Sequence, residues 1–165
     1  MFINSTIKNH IKSNNISYYV KNHVSSTNDY LNYSYIRDQA PIVILSNNQR
    51  HPRGRRGKKW VNFQGSSLGF SLCLKFKKSP REYTVLSHLV GISIIESCEI
   101  LGNQSLKIKW PNDIMQGEKK VCGILIENLL SSKQSFYSMI GFGFNISFFM
   151  SIRSVSFVHS FFLNP

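Results

Sequence analysis

Five cations, two glycines and a tryptophan crowd the eight residues Arg53-Gly54-Arg55-Arg56-Gly57-Lys58-Lys59-Trp60. Like charges this close repel one another, so an intact fold gains little from gathering them in one loop. An arriving anion removes that repulsion and offers oxygens to the guanidinium forks. Glycine lets the backbone turn sharply and bring N–H groups toward a phosphate. The alternative for such a run is a solvated basic loop without a ligand.

Further polar runs lie downstream. Lys107-Ile108-Lys109-Trp110-Pro111-Asn112-Asp113-Ile114 is followed by Lys119-Lys120-Val121-Cys122-Gly123-Ile124-Leu125-Ile126-Glu127. Together they resemble the catalytic core of biotin protein ligases. The basic loop resembles that family's adenylate-binding loop. Ser26-Thr27-Asn28 resembles its biotin-contacting segment, and Gly141-Phe142-Gly143-Phe144-Asn145 its GxGxN element. The motifs follow the family's order from roughly Ile16 to Ile146. Each is weak alone; their conjunction is specific.

The resemblance implies a two-step reaction with biotin and ATP as substrates and Mg²⁺ as helper. The biotin carboxylate attacks the α-phosphate, giving biotinyl-AMP and pyrophosphate. A lysine amine on the biotin carrier domain of a carboxylase then attacks the anhydride and releases AMP. Negative charge grows at the α-phosphoryl centre, so fixed cations must meet it. Arg53, Arg55 and Arg56 suit bidentate contact with phosphate and carboxylate oxygens. Lys120 suits the bridge between biotin carboxylate and α-phosphate as a compact charge; its alternative is a solvated hairpin lysine. Asp113 is the candidate for Mg²⁺ or for orienting the incoming amine, or is a plain Asn-Asp turn residue. Asn112 binds nucleotide or shapes that turn, and Lys109 joins the adenylate set. Trp60 and Trp110 stack over adenylate or sit in the core. Gln49 and Ser26, Thr27 and Asn28 offer donors and acceptors for the ureido ring of biotin; the three also read as an N-cap. Gly123 admits ligand to the backbone or marks a bulge. Gly141 and Gly143 line the adenylate, and Asn145 reaches ribose or phosphate. A loop this charged is expected to be mobile when empty and to order around the adenylate.

Elements must hold these groups in place. Ile16–Val20 and Pro41–Ser46 read as strands, the second buried on both faces. Ser67–Phe76 alternates and reads as half-buried, with Leu68, Phe70, Leu72, Leu74 and Phe76 on one face. Ser79-Pro80 opens a helix reaching about Leu101, with Val85, Leu86, Leu89, Val90, Ile94, Cys98 and Leu101 as its apolar stripe and Gly102 as its stop. Leu106–Trp110 is a strand, Asn112–Gly117 a turn, and Val121–Leu130 with Ser135–Ile140 a hairpin. A short helix is expected within Met1–Asn15. Strands outnumber helices, so the class is α+β with a mixed, largely antiparallel sheet of class II synthetase-like type. The expected organisation is a catalytic domain at 1–147, incomplete at its C-terminal end, and an unpatterned tail at 148–165.

Departures from the family pattern carry expectations too. Pro52 stands where the family loop usually begins with glycine, removing one backbone donor. No helix-turn-helix segment precedes the motifs, so no operator DNA binding is expected. No small β-barrel follows them. The chain thus reads as a minimal ligase or a truncated, inactive remnant; a homodimer is left open.

Bulk properties exclude other classes. The 165 residues are 42% hydrophobic and 13% aromatic, which excludes a disordered chain. Twenty Lys and Arg against eight Asp and Glu give a charge of +12, which attracts nucleotides, nucleic acids or acidic partners. A basic nucleic-acid-binding protein and a lipoate- or octanoate-transferring relative therefore stand as alternatives. Cys73, Cys98 and Cys122 lack metal-ligand spacing and are expected as core residues of a cytoplasmic protein. Neither a signal peptide nor a membrane span is apparent.

Overall fold

The computed structural model describes residues 13–61, 66–77, 85–100, 105–132 and 135–145. Their strands are β1 (Ser17–Lys21), β2 (Ile42–Ser46), β3 (Ser67–Lys77), β4 (Leu106–Lys109), β5 (Asp113–Gln116), β6 (Lys119–Ser132) and β7 (Ser135–Asn145). One sheet holds all seven, in the order β1-β2-β3-β7-β6-β5-β4. β1 and β2 run parallel; the other pairings are antiparallel. The helices are α1 (Thr27–Leu31), α2 (Ser34–Arg37) and α3 (Leu86–Ile100). The expected α+β class with a largely antiparallel sheet is the one observed.

Side-chain alternation explains why the sheet is covered twice. On β2, Val43 and Leu45 join one buried cluster with Phe70, Phe142, and Ile94 and Cys98 of α3. Ile42 and Ile44 point the other way, into a cluster with Leu31 of α1, Ile36 of α2, Cys73 and Met139. A strand with apolar residues at every position needs cover on both faces, and α3 on one side and α1–α2 on the other supply it. Phe70 and Phe142 face each other across β3 and β7 with rings stacked 4.5 Å apart. Fully burying such a side chain is worth about 1.5–3 kcal/mol, against about 0–1 kcal/mol for a half-exposed ion pair. The sheet therefore holds the molecule together, and the charged groups described below can be arranged for chemistry.

Three expectations about elements change. Ser67–Ser71 of β3 is buried on both faces rather than half-buried, because α1 lies on the face that carries Ser71. The expected stripe of α3 is rotated: Val85 and Leu89 are exposed, while Gly91, Ile94 and Cys98 are buried. Gly91 explains the rotation, since a Cβ there would stand 3.2 Å from Ile108 Cδ1 and 3.5 Å from Ile124 Cδ1. The helix seats its side-chain-free position on β4 and β6. Finally, Asp113–Gln116 is a strand, not a turn. Ile114 drives this, being fully buried between β4 and β6, and Gly117 at φ +56° makes the turn that follows. The GxGxN element continues β7 without a break. The Ser79-Pro80 cap, the Gly102 stop, the tail at 148–165 and all but the last three residues of Met1–Asn15, where a short helix is expected, lie outside the described residues.

Candidate functional site

Four glycines at the centre of the sheet leave a shallow floor. Gly69 and Gly143 are register partners across β3 and β7, Gly123 and Gly143 across β7 and β6, and Gly141 faces Ser71 and Leu125. Each is overlain by a side chain from elsewhere. A Cβ at Gly69 would fall 2.6 Å from Gln49 Nε2. One at Gly143 would fall 2.6 Å from Trp60 Nε1, and one at Gly123 2.7 Å from Trp60 Cζ3. At Gly141 it would collide with the Asn28 amide. Any side chain at these positions would push Gln49, Asn28 or Trp60 off the sheet. Gly123 sits in register with Gly143 and Asp113, so it does not itself mark a bulge; the shift between β5 and β6 falls between Ile114 and Met115.

Above this floor lies a cavity of about 440 Å³. Ser26, Thr27, Asn28 and Gln49 wall one end; Lys120, Asp113 and Asn112 wall the other. Arg53, Arg55, Arg56 and Trp60 of the basic loop also line it, as do Gly123, Gly141 and Gly143 of the sheet. Arg53 and Lys120, far apart in sequence, thus share one cavity. Trp110 also reaches the lining but is 77% exposed, so it is no core residue. Lys109 and Asn145 are not brought to the cavity. Lys109 is exposed on β4 at the sheet edge. Asn145 is buried at the end of β7, its Oδ1 accepting from Ser67 Oγ at 3.0 Å.

The polar end is a buried hydrogen-bond network. Ser26 has the extended backbone of an N-cap, but its side chain makes no cap bond. Gln49 supplies that service instead: its Oε1 accepts from the Thr27 backbone N–H at 2.8 Å and from Thr27 Oγ1 at 3.1 Å. Ser71 Oγ, fully buried, lies 2.8 Å from Thr27 Oγ1 and 2.6 Å from Asn28 Oδ1. Asn28 Nδ2 donates to Glu127 Oε2 at 2.8 Å and to the Leu125 carbonyl at 3.3 Å. Such groups must be paired because an orphaned buried donor or acceptor costs about 1–3 kcal/mol. Pairing also fixes which atoms are offered to a ligand.

The basic loop is folded back on itself. Arg53 bridges Lys59, the Trp60 N–H donates to the Pro52 carbonyl at 3.1 Å, and the Gly54 N–H donates to the Lys58 carbonyl at 2.6 Å. A 3-10 turn at Arg55–Gly57 forms its tip, with Arg56 at φ 55° and Gly57 at φ 72°. Arg55 Nη1 donates to Asn112 Oδ1 at 3.2 Å and ties the tip to the β4–β5 turn. Asn112 in turn clamps β6: its Nδ2 donates to the Ile124 carbonyl at 2.9 Å and its carbonyl accepts from the Ile124 N–H at 2.8 Å.

Arg53 lines the cavity, as expected, and is ion-paired there. Its fork donates to both Glu127 oxygens, at 2.8 and 2.7 Å, and Nη2 also donates to Asp29 Oδ1 at 2.5 Å. The hydrogen bond to Glu127 raises the guanidinium above its ordinary pKa, while burial opposes. Two carboxylates already answer this cation. Sequence reasoning missed Asp29, Ser71 and Glu127; Glu127 closes the run that singled out Lys120, and Asp29 follows Asn28 directly.

Lys120 of β6 lines the same cavity. Its Nζ is 2.7 Å from Asp113 Oδ1 and 5.0 Å from the centroid of the Trp60 ring. The contact with Asp113 is an ion pair without an aligned hydrogen bond, which leaves that buried oxygen with unused acceptor capacity. The same contact bears on Mg²⁺. An ammonium stands where a cation would meet Asp113, and among the described residues no group of three His, Cys, Asp or Glu side chains could hold a metal. The residues do not fit a resident Mg²⁺ at Asp113. Cys73, Cys98 and Cys122 are free and buried; burial pushes the Cys73 thiol to about 11 and Cys98 to about 12, and lifts Cys122 well above its ordinary value. None lines the cavity.

The model of the biotin/lipoate A/B protein ligase family matches residues 20–145. The chain belongs to that family. Among curated relatives, the bifunctional ligase/repressor BirA of Escherichia coli (strain K12) is 31% identical over 124 residues, 75% of this chain and 39% of that protein. The chain thus spans about two fifths of that relative's length. Among solved structures, the Helicobacter pylori biotin acetyl coenzyme A carboxylase synthetase with bound biotinylated ATP is 27% identical. Its TM-score is 0.67, over 90% of this chain and 72% of that one. The Aquifex aeolicus biotin protein ligase in complex with biotin and ATP is 31% identical with a TM-score of 0.58, over 78% of this chain and 51% of that one. Among the described residues no helix is long and apolar enough to cross a membrane.

Proposed function

We propose that this chain is an ATP-dependent biotin protein ligase that forms biotinyl-AMP and transfers biotin to a lysine on the biotin carrier domain of a carboxylase. One observation carries the reading. The Lys120 ammonium lines one cavity together with the polar group Ser26, Thr27, Asn28 and Gln49 and with the cations of the basic loop. A molecule filling that cavity would need an uncharged polar head, a carboxylate and a phosphate, in that order.

Thr27 and Asn28, held by Ser71, receive the ureido ring together with Gln49, which is held by Thr27. Lys120 lies between the biotin carboxylate and the α-phosphate and draws their like charges together. The carboxylate oxygen bonds to the α-phosphorus, the bond from that phosphorus to the bridging oxygen breaks, and pyrophosphate leaves. Arg55, Arg56, Lys58 and Lys59 at the loop offset its charge. Trp60, packed against Gly123 and Gly143, shields one side of the anhydride and limits its hydrolysis. Asp113, with acceptor capacity to spare beside Lys120, takes a hydrogen bond from the attacking lysine amine. The new amide forms as the acyl–phosphate bond breaks, and AMP departs. Mg²⁺ travels with the nucleotide's phosphates rather than on Asp113. Three buried, unpaired thiols fit a reducing, cytoplasmic setting.

Intact-mass measurement of a biotin carrier domain incubated with the protein, biotin and ATP tests the reading. A mass gain of one biotinyl group that requires both small molecules supports it. Modification with lipoate in place of biotin would contradict it.

A further inference from the structure

Tyrosine rings collect on the α1–α2 face of the sheet and run outward from it as a ladder. Tyr19 of β1 meets Tyr30 of α1 edge to face, with 5.7 Å between ring centroids. Tyr30 meets Tyr33 the same way at 6.5 Å, and Tyr33 leans on Tyr35 of α2 at 5.9 Å with a tilt of 31°. Tyr19 and Tyr30 pack against the buried cluster of that face. Tyr33 and Tyr35 stand clear of it, 57% and 66% exposed. One exposed aromatic on a surface means little, but two adjoining rings at the end of an anchored ladder form a platform. None of the four rings lines the cavity, so the ligase chemistry leaves them without a task.

Cations accompany the rings. Lys21 Nζ lies 5.6 Å from the Tyr19 centroid and 5.7 Å from that of Tyr30. Arg37 stands one helical turn beyond Tyr33, its N–H donating to the Tyr33 carbonyl at 3.0 Å and its Nη1 to the Asn32 carbonyl at 2.6 Å. The Arg37 guanidinium and the Lys75 ammonium both approach the Tyr137 ring, at 5.8 and 5.2 Å. Among the described residues none of these three cations makes an ion pair. Asp38 accepts from the Tyr137 hydroxyl at 2.9 Å, and Asp29 of α1 is paired with Arg53. Three cations thus outweigh Asp38, and the face is positive. A ring holds an ammonium by its quadrupole and leaves the N–H groups free to meet an anion.

We propose that this face is a binding surface for single-stranded nucleic acid. Every base has a π-face, so successive bases stack on Tyr33 and Tyr35. Lys21 at the anchored end of the ladder and Arg37 beside Tyr33 meet the backbone phosphates. A duplex fits poorly, because its bases already stack on one another. The net charge of +12 draws a polyanion toward the surface. The inference stands whether or not the chain ligates biotin.

Fluorescence anisotropy of labelled oligothymidylate and oligouridylate, each of about twelve nucleotides, tests the surface on the full chain. Both should bind more tightly than the duplexes they form with their complements, and affinity should fall with salt. Tight binding of either strand supports the surface, and the tighter of the two names its natural form, DNA or RNA. Tyr33→Ala and Tyr35→Ala should each weaken binding about fivefold to a hundredfold, the scale of one lost base stack. Tyr35→Phe keeps the ring and should bind like the parent. Lys21→Gln should weaken binding to all sequences alike and lower the slope of log affinity against log salt by about 0.7. Both tyrosines are exposed, so their variants should keep the parent's melting temperature and its biotin-dependent pyrophosphate exchange. Equal affinity of the parent and the alanine variants would overturn the inference, as would equal affinity for single strand and duplex. Affinity lost on combining Lys58→Gln with Lys59→Gln, yet kept in the alanine variants, would put the strand on the basic loop and overturn it too. Binding to phosphatidylserine vesicles in place of either oligonucleotide would also contradict it.

Discussion

Gly123 and Gly143 face each other across β6 and β7, and the indole of Trp60 covers both. The contact ties the loop to the sheet and sets the height of the Lys120 ammonium, 5.0 Å from that ring. Gly143→Ala places a methyl 2.6 Å from Trp60 Nε1, so the ring must leave. The variant should fold, because the indole has solvent to move into, but its tryptophan emission should shift to the red. Adenylate formation should fall about tenfold or more, as the cation–π contact of about 0.5–2 kcal/mol and the cover are lost together. Unchanged emission and activity would contradict the placement of Trp60.

Ser71→Ala removes a fully buried hydroxyl that both Thr27 and Asn28 use. Stability should drop by about 1–3 kcal/mol, the usual cost of orphaned buried polar groups. KM for biotin should rise while KM for ATP stays near the parent value, since only the polar end is disturbed. Denaturant titration and steady-state kinetics read the two effects separately.

Lys120→Ala should do the reverse. Its side chain is 38% exposed and its partner's 26%, so screening leaves the pair worth about 0–1 kcal/mol of stability. The melting temperature should barely move. The rate of adenylate formation should fall about 10²–10³-fold, the scale of losing one preorganised charge at the reacting centre.

Alkaline pH should destabilise the fold through the buried thiols. Below about pH 9 they are protonated in both folded and unfolded chains and add no pH dependence. Between there and the folded values, about 11 for Cys73 and about 12 for Cys98, the unfolded chain releases protons that the native chain keeps. Stability present below pH 9 is therefore lost as pH rises through that window. Urea midpoints should fall steeply from pH 9 to 11, and Cys98→Ala should flatten the slope. A thiol reagent at neutral pH should react with the protein only in denaturant.

The sequence showed the fold class because its strands alternate or run apolar over distances that only a covered sheet accommodates. It showed the motif chemistry because cations, glycines and Pro-Asn-Asp lie close together in the chain. What it hid is long-range pairing. Nothing about Glu127 among apolar β6 residues reveals that it meets Arg53, 74 positions away. Gln49 caps α1 from 22 positions away, which makes Ser26 unnecessary as a cap. Asp113–Gln116 looked like a turn because Pro-Asn-Asp favours turns, whereas Ile114, buried between two strands, decides otherwise. Lys109 and Asn145 belonged to the right motifs, but the strand register carries one to the sheet edge and the other under Ser67.

Biotin-dependent exchange of labelled pyrophosphate into ATP, measured on the full chain and on Lys120→Ala, tests the convergence on one cavity most directly. Exchange that needs biotin and collapses in the variant, with its melting temperature intact, is the predicted result. Exchange that persists in Lys120→Ala, or that never depends on biotin, would contradict it.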